Sequence, residues 1–414
     1  MNRKEQVLPE IRFPEFENED KWEITTIGQM GTFYYGKSAP KWSLSKDAPT
    51  LCVRYGELYT KFGTIIKEVY SRTNIDPKTL RFSKGGEILV PRVGEDPFAF
   101  SNCSYLPFAN IAIGEMISVY ETEQDSIFYA YYFNTLSSQF AKVVEGQNVK
   151  NLYYVNLEPI KIGKPNSIKE QKKIASCLSS LDEVINAETE KLEFLREHKK
   201  GLLQQLFPKE GETQPKYRFP EFKNEGDWQE TTLDAIADYA NGKAHEKEIS
   251  KTGKYKVVNS KFISTEGKVV KFSDSVNLET KIGDTLMVLS DIPNGKALAK
   301  CFYVDKDDTY TVNQRICKIT TTGINNVFLF YQLNRNKYFL RFDDGAKQTN
   351  LRKDDVLNCP ILKPTNPKEQ VKIANTLVSA NDLIIEQKQK IDSLQTHKKG
   401  LLQQLFPNIN EVAV

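Results

Sequence analysis

The stretch IKEQKKIASCLSSLDEVINAETEKLEFLREHKKGLLQQLFP, Ile168 to Pro208, carries a repeated helix pattern. Its last eleven letters, HKKGLLQQLFP from His198, return unaltered from His397 to Pro407, 199 residues further on. Positions Ile174, Leu178, Leu181, Ile185, Glu188, Leu192, Leu195, Lys199, Leu202 and Leu206 step by four and three residues in alternation. The second copy gives Ile373, Leu377, Ala380, Ile384, Gln387, Ile391, Leu394, Lys398, Leu401 and Leu405. A heptad seam sustained over this many turns makes a helix wind around a partner. Both copies place polar residues at the same two seam positions, and such interruptions fix register at some cost in stability.

The ends of these helices are also signed. Ser167 followed by Glu170 predicts a capping box, in which hydroxyl and carboxylate each satisfy an orphan backbone donor. Asn366, Pro367 and Glu369 are expected to do the same, with proline at the first helical position. Both helices should stop at Phe-Pro, because proline cannot extend a helix. At 1.5 Å per residue each would run for roughly 58 Å, more than one compact domain needs, so each reads as a spacer.

Elsewhere in the chain, IRFPEFENEDKW (Ile11 to Trp22) returns as YRFPEFKNEGDW (Tyr217 to Trp228). IKEQKKIASCLSS (Ile168 to Ser180) returns as PKEQVKIANTLVS (Pro367 to Ser379), and FYAYYFN (Phe128 to Asn134) matches VFLFYQL (Val327 to Leu333) at an offset of 199. The chain is two copies of one plan, alike at their ends and diverged in their middles. The two seams most simply bury each other about a pseudo-two-fold axis. The helices then run antiparallel, a globular domain sits at each end, and the end of the second helix lies near Ile11.

The boundaries expected are an N-terminal segment 1–21, a first domain 22–164, a first long helix 165–208 and a linker 209–227. A second domain 228–363, a second long helix 364–407 and a tail 408–414 complete the chain. Gly86 to Val93 and Gly283 to Ser290 are short apolar runs that read as buried strands. Ile111 to Ile113 and Met116 to Tyr120 are further strands, and Ser126 to Phe140 reads as a helix with its aromatics inward. A glycine-led polar loop follows in each half, Gly146 to Leu152 and Gly345 to Leu351. The predicted class is α+β: two mixed α/β domains separated by two long antiparallel coiled-coil helices.

Composition is that of a soluble protein, 39% hydrophobic and 27% charged, with no apolar run near the length that spans a bilayer. The start MNRKEQVLPEIRF has no apolar signal region, and six scattered cysteines with three histidines offer no zinc spacing. These features predict a cytoplasmic chain with reduced thiols and no metal. The net charge of +3 is nearly balanced, so any basic footprint for nucleic acid must be local.

The sequence carries no catalytic constellation. GTFYYGKS (Gly31 to Ser38) fits the phosphate-loop pattern, but bulky aromatics fill it and Pro40 obstructs the helix that should follow. A turn in which Gly36 and Gly242 permit an unusual backbone is the plainer reading. No methyl-donor glycine motif is present, and DPFA (Asp96 to Ala99) and NCPI (Asn358 to Ile361) lack the double proline that holds a flipped base. The strings Glu170/Lys172 and Glu386/Lys388 read as solvated helix charges, and His198 and His397 as cations complementing a helix C-terminus.

Packing alone would keep Leu202, Leu203, Leu206 and Phe207 alike in both copies. It would not need His198, Lys199, Lys200, Gln204 and Gln205, repeated as His397, Lys398, Lys399, Gln403 and Gln404. Recent duplication would explain them only if the middles matched too. The other reading is that one external partner grips both copies.

RFPEF followed by Trp at the opening of each half, EQ-x-KIA opening each helix and HKKGLLQQLFP closing it resemble the specificity subunit of type I restriction-modification systems. The resemblance covers essentially the whole chain. It implies two target-recognition domains held apart by an antiparallel coiled coil, each reading one half of a bipartite DNA target. It implies two copies of a modification subunit that carries S-adenosylmethionine and methylates an adenine in each half-site. Restriction subunits, using ATP and Mg, would join to cut unmodified DNA. The chain itself would bind no cofactor and catalyse nothing.

The recognition domains are the variable part of that family, so DNA contacts must come from residue chemistry. Arg, Lys, Asn and Gln on loops reach base edges, while other cations hold phosphates. Candidates in the first domain are Lys37, Arg54, Tyr55, Arg92, Gln147, Asn148 and Lys150; in the second, Lys243, Asn259, Lys261, Lys296, Arg315, Lys347, Gln348 and Asn350. The rival reading is a coiled-coil scaffold whose end domains bind proteins.

Overall fold

The structure is a computed structural model that describes residues 5–37, 39–245, 248–293 and 295–409. Ser38 of the phosphate-loop pattern and most of the tail 408–414 lie outside them. The chain divides into two units, residues 1–190 with 388–414 and residues 191–387, and the division falls inside both long helices. Those helices are continuous over 39 residues each, Ile168–Leu206 and Pro367–Leu405.

In the first unit, the sheet Gly31–Tyr35, Ile117–Thr122, Glu87–Pro91 and Ser104–Leu106 is wholly antiparallel. A second sheet, Ser71–Thr73, Thr50–Val53, Ala109–Ile113 and Phe82–Lys84, contains one parallel pair, Thr50–Val53 with Ala109–Ile113. A small sheet joins Gln6–Val7, Trp22–Thr26 and Lys161–Lys164, so the two ends of this domain meet beside the long helix.

The second unit repeats the plan with different residues. Ala237–Asn241, Ile316–Thr321, Thr285–Val288 and Cys301–Tyr303 form the antiparallel sheet. Tyr255–Val258 pairs in parallel with Tyr310–Val312 in the mixed one. Gln229–Thr232 pairs with Pro360–Lys363. The middles therefore diverge in sequence while keeping the strand order of the antiparallel sheet and the parallel pair of the mixed one, whose fourth strand, Phe82–Lys84 in the first unit and Ile249–Ser250 in the second, lies at opposite edges.

Each unit pairs the first half of one long helix with the second half of the other. In the first, Asp182 and Glu188 meet Lys398 and Lys390 respectively. In the second, Lys199 Nζ donates to Asn381 Oδ1 at 2.7 Å, while Leu206 packs with Ile373 and Leu377. Numbers rising on one helix as they fall on the other define antiparallel pairing in each unit. Every seam position expected from the heptads is buried or half-buried. The backbone N–H of Ile11 donates to the carbonyl of Gln404 at 3.1 Å, so the start of the first half and the end of the second helix are neighbours.

The core of the first domain is closed by that end. Phe406 packs on Phe128 and Tyr132, with ring centroids 5.1 and 4.8 Å apart, and the hydroxyl of Tyr132 donates to the carbonyl of Pro407 at 3.3 Å. The second core is closed by the end of the first helix, where Phe207 lies 5.2 Å from Phe328 and 6.2 Å from Trp228. Burying two aromatic faces in this way gives each helix terminus a fixed seat.

Four expectations change. The helix read over Ser126 to Phe140 is two, Ser126–Thr135 and Ser137–Lys142. Phe128 through Phe133 are all buried, so that helix has no polar face at all. The matching aromatic segments are offset by 200 residues, not 199. Asp125 and Asn325 each cap a helix by accepting from Phe128 N and Phe328 N, and Asn134 and Asn334 accept from Cys103 N and Cys301 N.

Glu170 is neither a solvated helix charge nor free to complete a capping box. It is fully buried, and its carboxylate accepts from Arg12 and from Trp22 Nε1. Finally, Gly31–Tyr35 is a strand, and Gly36 and Gly242 have no left-handed backbone. They are needed because a Cβ would collide with the carbonyls of Gly114 and Asn313. The left-handed conformation belongs to Gly146 and Gly345, at φ 100° and 72°, which open the two polar loops.

Candidate nucleic-acid interface

Five backbone hydrogen bonds gather the strand ends of the first domain. Lys37 N donates to Ile113 O (2.8 Å), Gly36 N to Ile117 O (3.0 Å) and Gly114 N to Val53 O (2.9 Å). Arg92 N donates to Met116 O (3.1 Å) and Leu152 N to Arg92 O (2.9 Å). Lys37, Arg54, Arg92 and the loop holding Gln147, Asn148 and Lys150 are thereby collected at one edge.

The second domain repeats all five. Lys243 N donates to Val312 O (3.0 Å), Gly242 N to Ile316 O (2.9 Å) and Asn313 N to Val258 O (3.1 Å). Leu289 N donates to Arg315 O (2.9 Å) and Leu351 N to Leu289 O (2.8 Å). These bonds define equivalent positions: Lys37 and Lys243, Arg54 and Asn259, Arg92 and Leu289, Met116 and Arg315. Lys347, Gln348 and Asn350 lie in the loop that corresponds to 146–151. Lys261 follows Asn259 on the short helix Ser260–Ser264, and Lys296 stands on the segment after Ser290–Asp291, outside this bonded group.

Side-chain commitments differ among the candidates. Lys37, Gln147, Asn148, Lys243, Lys261, Lys296, Arg315, Lys347, Gln348 and Asn350 are exposed. Tyr55 is half-buried against the core around Val53 and Leu58. Asn259 caps its helix by accepting from Phe262 N at 2.9 Å. Gln348 Nε2 donates to Ser290 Oγ at 2.7 Å, and Lys150 Nζ to Gln147 O at 2.6 Å.

Beside the first edge lies an aromatic group that sequence reading passed over. Tyr35, Tyr154 and Phe33 pack in series, with Tyr35 and Tyr154 centroids 4.6 Å apart and Phe33 and Tyr154 5.6 Å apart, and the Arg92 guanidinium lies over the rings of Tyr35 and Tyr153. Burial holds the Tyr35 phenol above its ordinary pKa, and the nearby Arg92 guanidinium opposes that rise. Arg81 Nη1 donates to Tyr35 O at 2.7 Å. His245, also passed over, is buried beneath the second edge, with Nδ1 2.8 Å from Lys243 O and Nε2 2.8 Å from Thr311 Oγ1. The paired tyrosines, and a histidine outside the repeat, were the available signals.

At the helix ends the repeated polar letters divide. His198, Lys200, Gln204 and Gln205 are exposed, as are His397, Lys399 and Gln403, with Gln404 half-buried. Lys199 and Lys398 instead serve the seam. Lys199 lies over the Tyr331 ring at 5.4 Å, and Lys398 over Tyr131 at 5.5 Å.

Among the described residues, no cluster of three or more His, Cys, Asp or Glu is placed to hold a metal ion. No described helix is long and apolar enough to cross a membrane. The two equivalent loop edges, each on a mixed-sheet domain joined to a half-and-half helix pair, define a chain with an internal repeat.

Comparison with known proteins agrees. The family model described as type I restriction modification DNA specificity domain matches twice, over residues 19–197 and 225–396, and the chain belongs to this family. Membership implies recognition of DNA sequence by a subunit that is generally non-catalytic. The specificity subunit of type I restriction enzyme MjaVIII from Methanocaldococcus jannaschii is 27% identical over 297 residues, 67% of this chain and 69% of that one.

Two solved structures share the fold. The S subunit of a type I restriction-modification system from M. genitalium superposes with a TM-score of 0.62 at 16% identity, covering 97% of this chain and all of that one. A chain from a structure titled for complex assembly and conformational transition of the type I R-M system gives 0.57 at 13% identity, covering 93% and 97%.

Proposed function

We propose that this chain reads a two-part DNA target, one half with each domain, and serves as the scaffold on which modification and restriction subunits assemble. The observation that carries this reading is the pair of equivalent edges. The same five backbone bonds recur, while the side chains they present differ: Arg54 against Asn259, Arg92 against Leu289, Met116 against Arg315. A constant frame with altered side chains is what two readers of unlike sequences require, because base identity is carried by side-chain contacts and not by backbone position.

In this reading the fifteen candidate residues at and near the edges contact DNA, with the exposed lysines on phosphates. Two copies of a methyltransferase subunit dock on the exposed polar letters of the repeated helix ends. S-adenosylmethionine, ATP and Mg belong to the partner subunits, and the present chain supplies specificity without chemistry of its own.

The test is a map of adenine methylation in host cells with and without the gene. A two-part motif that disappears on deletion is the expected result, and a map unchanged by deletion overturns the reading. Exchange of residues 22–164 for another variable domain should alter one half of the motif only.

A further inference from the structure

We infer that Arg92 is the specificity-determining residue of the first half-site and that it reads the edge of a guanine; this rests on the DNA-reading function proposed above. Three observations meet at this side chain. Its guanidinium carbon lies 4.3 Å from the centroid of Tyr35 and 5.3 Å from that of Tyr153, so two aromatic faces hold it. Among the described residues no carboxylate, carbonyl or hydroxyl accepts a hydrogen bond from it, and its Nε is buried without a partner. Its backbone, by contrast, is pinned on both sides, by Met116 O and Leu152 N.

A half-buried guanidinium with unspent donors is costly, since each buried donor left unpaired forfeits the hydrogen bond it had with water. Arg81, which reaches the same Tyr35, shows the contrast by donating to its carbonyl. Stacking on tyrosine faces removes rotamer freedom from the fork while leaving the fork itself unfilled. A planar, pre-oriented pair of N–H donors matches two acceptors in one plane. In the major groove that pair is O6 and N7 of guanine, the commonest specific contact of arginine. The freely exposed cations at the same edge, Lys37 above all, are the better phosphate holders.

The second domain cannot read in the same way. Leu289 occupies the position of Arg92 and is buried. At this edge Arg315 is exposed and stands across the same backbone bond, where the first domain has Met116. The position of Tyr35 is taken by Asn241. Loss of Arg92 should therefore be felt in one half-site alone.

The experiment is the adenine-methylation map of cells carrying the wild-type chain, Arg92→Lys or Arg92→Ala, with the host's own partner subunits. Lysine keeps charge and length but loses the fork, so it separates reading from charge and from folding. In both variants one G·C position of the first half-site is expected to lose discrimination by about ten- to a hundredfold, with the second half-site unchanged. If methylation falls at every site while all bases remain required, Arg92 holds a phosphate and the assignment is overturned. A two-part wild-type motif kept in full by both variants overturns the assignment alone. A wild-type map with no gene-dependent two-part motif overturns the functional reading and the assignment with it.

Discussion

Arg12 and Glu170, 158 residues apart in sequence, form a buried two-pronged ion pair, with Nε to Oε1 at 2.7 Å and Nη2 to Oε2 at 2.9 Å. Arg218 and Glu369 repeat it at 2.9 and 2.8 Å, and Trp22 and Trp228 donate an indole N–H to the same carboxylates. The arginine of each RFPEF and the glutamate of each EQ-x-KIA are thus two halves of one clamp, tying the start of a domain to the start of its helix. Removing one partner strands a buried charge. We expect Arg12→Ala to cost about 3–5 kcal/mol in urea unfolding, and a double change of Arg12 and Glu170 to apolar residues to recover much of that. Equal stabilities for wild type and Arg12→Ala would show the pair to be dispensable.

Phe406 gives the second prediction. It is 3% exposed, and it is supplied to the first domain from the far end of the chain. Phe406→Ala should lower stability by about 3–5 kcal/mol through the cavity left against Phe128 and Tyr132. The loss should be visible in the fluorescence of Trp22, whose ring stands 5.8 Å from that of Phe128. A change confined to Trp228 would contradict the assignment of this residue to the first core.

How much of this was legible follows from range. The long helices were readable almost to the residue, because heptads and a terminal proline are local signals. The clamp was not: Glu170 looks like the third residue of a helix, where a capping box is the local expectation, and its partner lies far up the chain. The short strands, two to six residues each, owe their existence to neighbours across a sheet, so only the apolar ones near Leu89, Ala112, Val119 and Leu286 stood out. The register of the aromatic helices was misread by one because rings look alike, whereas the caps Asp125 and Asn325 set it. At the two loop edges, cations were findable by type, but which of them share an edge depends on backbone bonds between distant strands.

Buried thiols and phenols give a pH prediction. Burial pushes Cys52 up to about 11 and Cys317 and Cys359 up to about 12; Tyr331 is raised to about 12, chiefly by burial and then by Asp382. A folded-state pKa above the ordinary value contributes stability that is whole below the ordinary pKa and lost as pH climbs through the folded one. Urea midpoints should therefore hold steady to about pH 9 and fall between about 9 and 12. The same burial predicts that alkylation of the native chain at pH 8 takes Cys177, the one half-exposed cysteine, first. A midpoint that rises with alkali, or early labelling of Cys317, would contradict these assignments.

The repeated HKKGLLQQLFP can be divided by experiment into letters kept for the molecule's own packing and letters kept for a partner. Lys199 is of the first kind. Lys199→Ala removes a hydrogen bond to Asn381 and a cation from the Tyr331 ring, and should cost about 1–3 kcal/mol in melting of the purified chain. Gln204, Gln205 and Gln403 are exposed and Gln404 half-buried, and the backbone carbonyls of Gln205 and Gln404 accept from Tyr217 and Ile11 whatever the side chain. Changing all four glutamines to alanine should move stability by no more than about 0.5 kcal/mol per site. It should nevertheless weaken co-purification with the methyltransferase subunits, with a shift in sedimentation from the assembled complex to the free chain. If the quadruple variant assembles as wild type does, the identity of those letters records duplication, and the docking surface lies elsewhere on the helices.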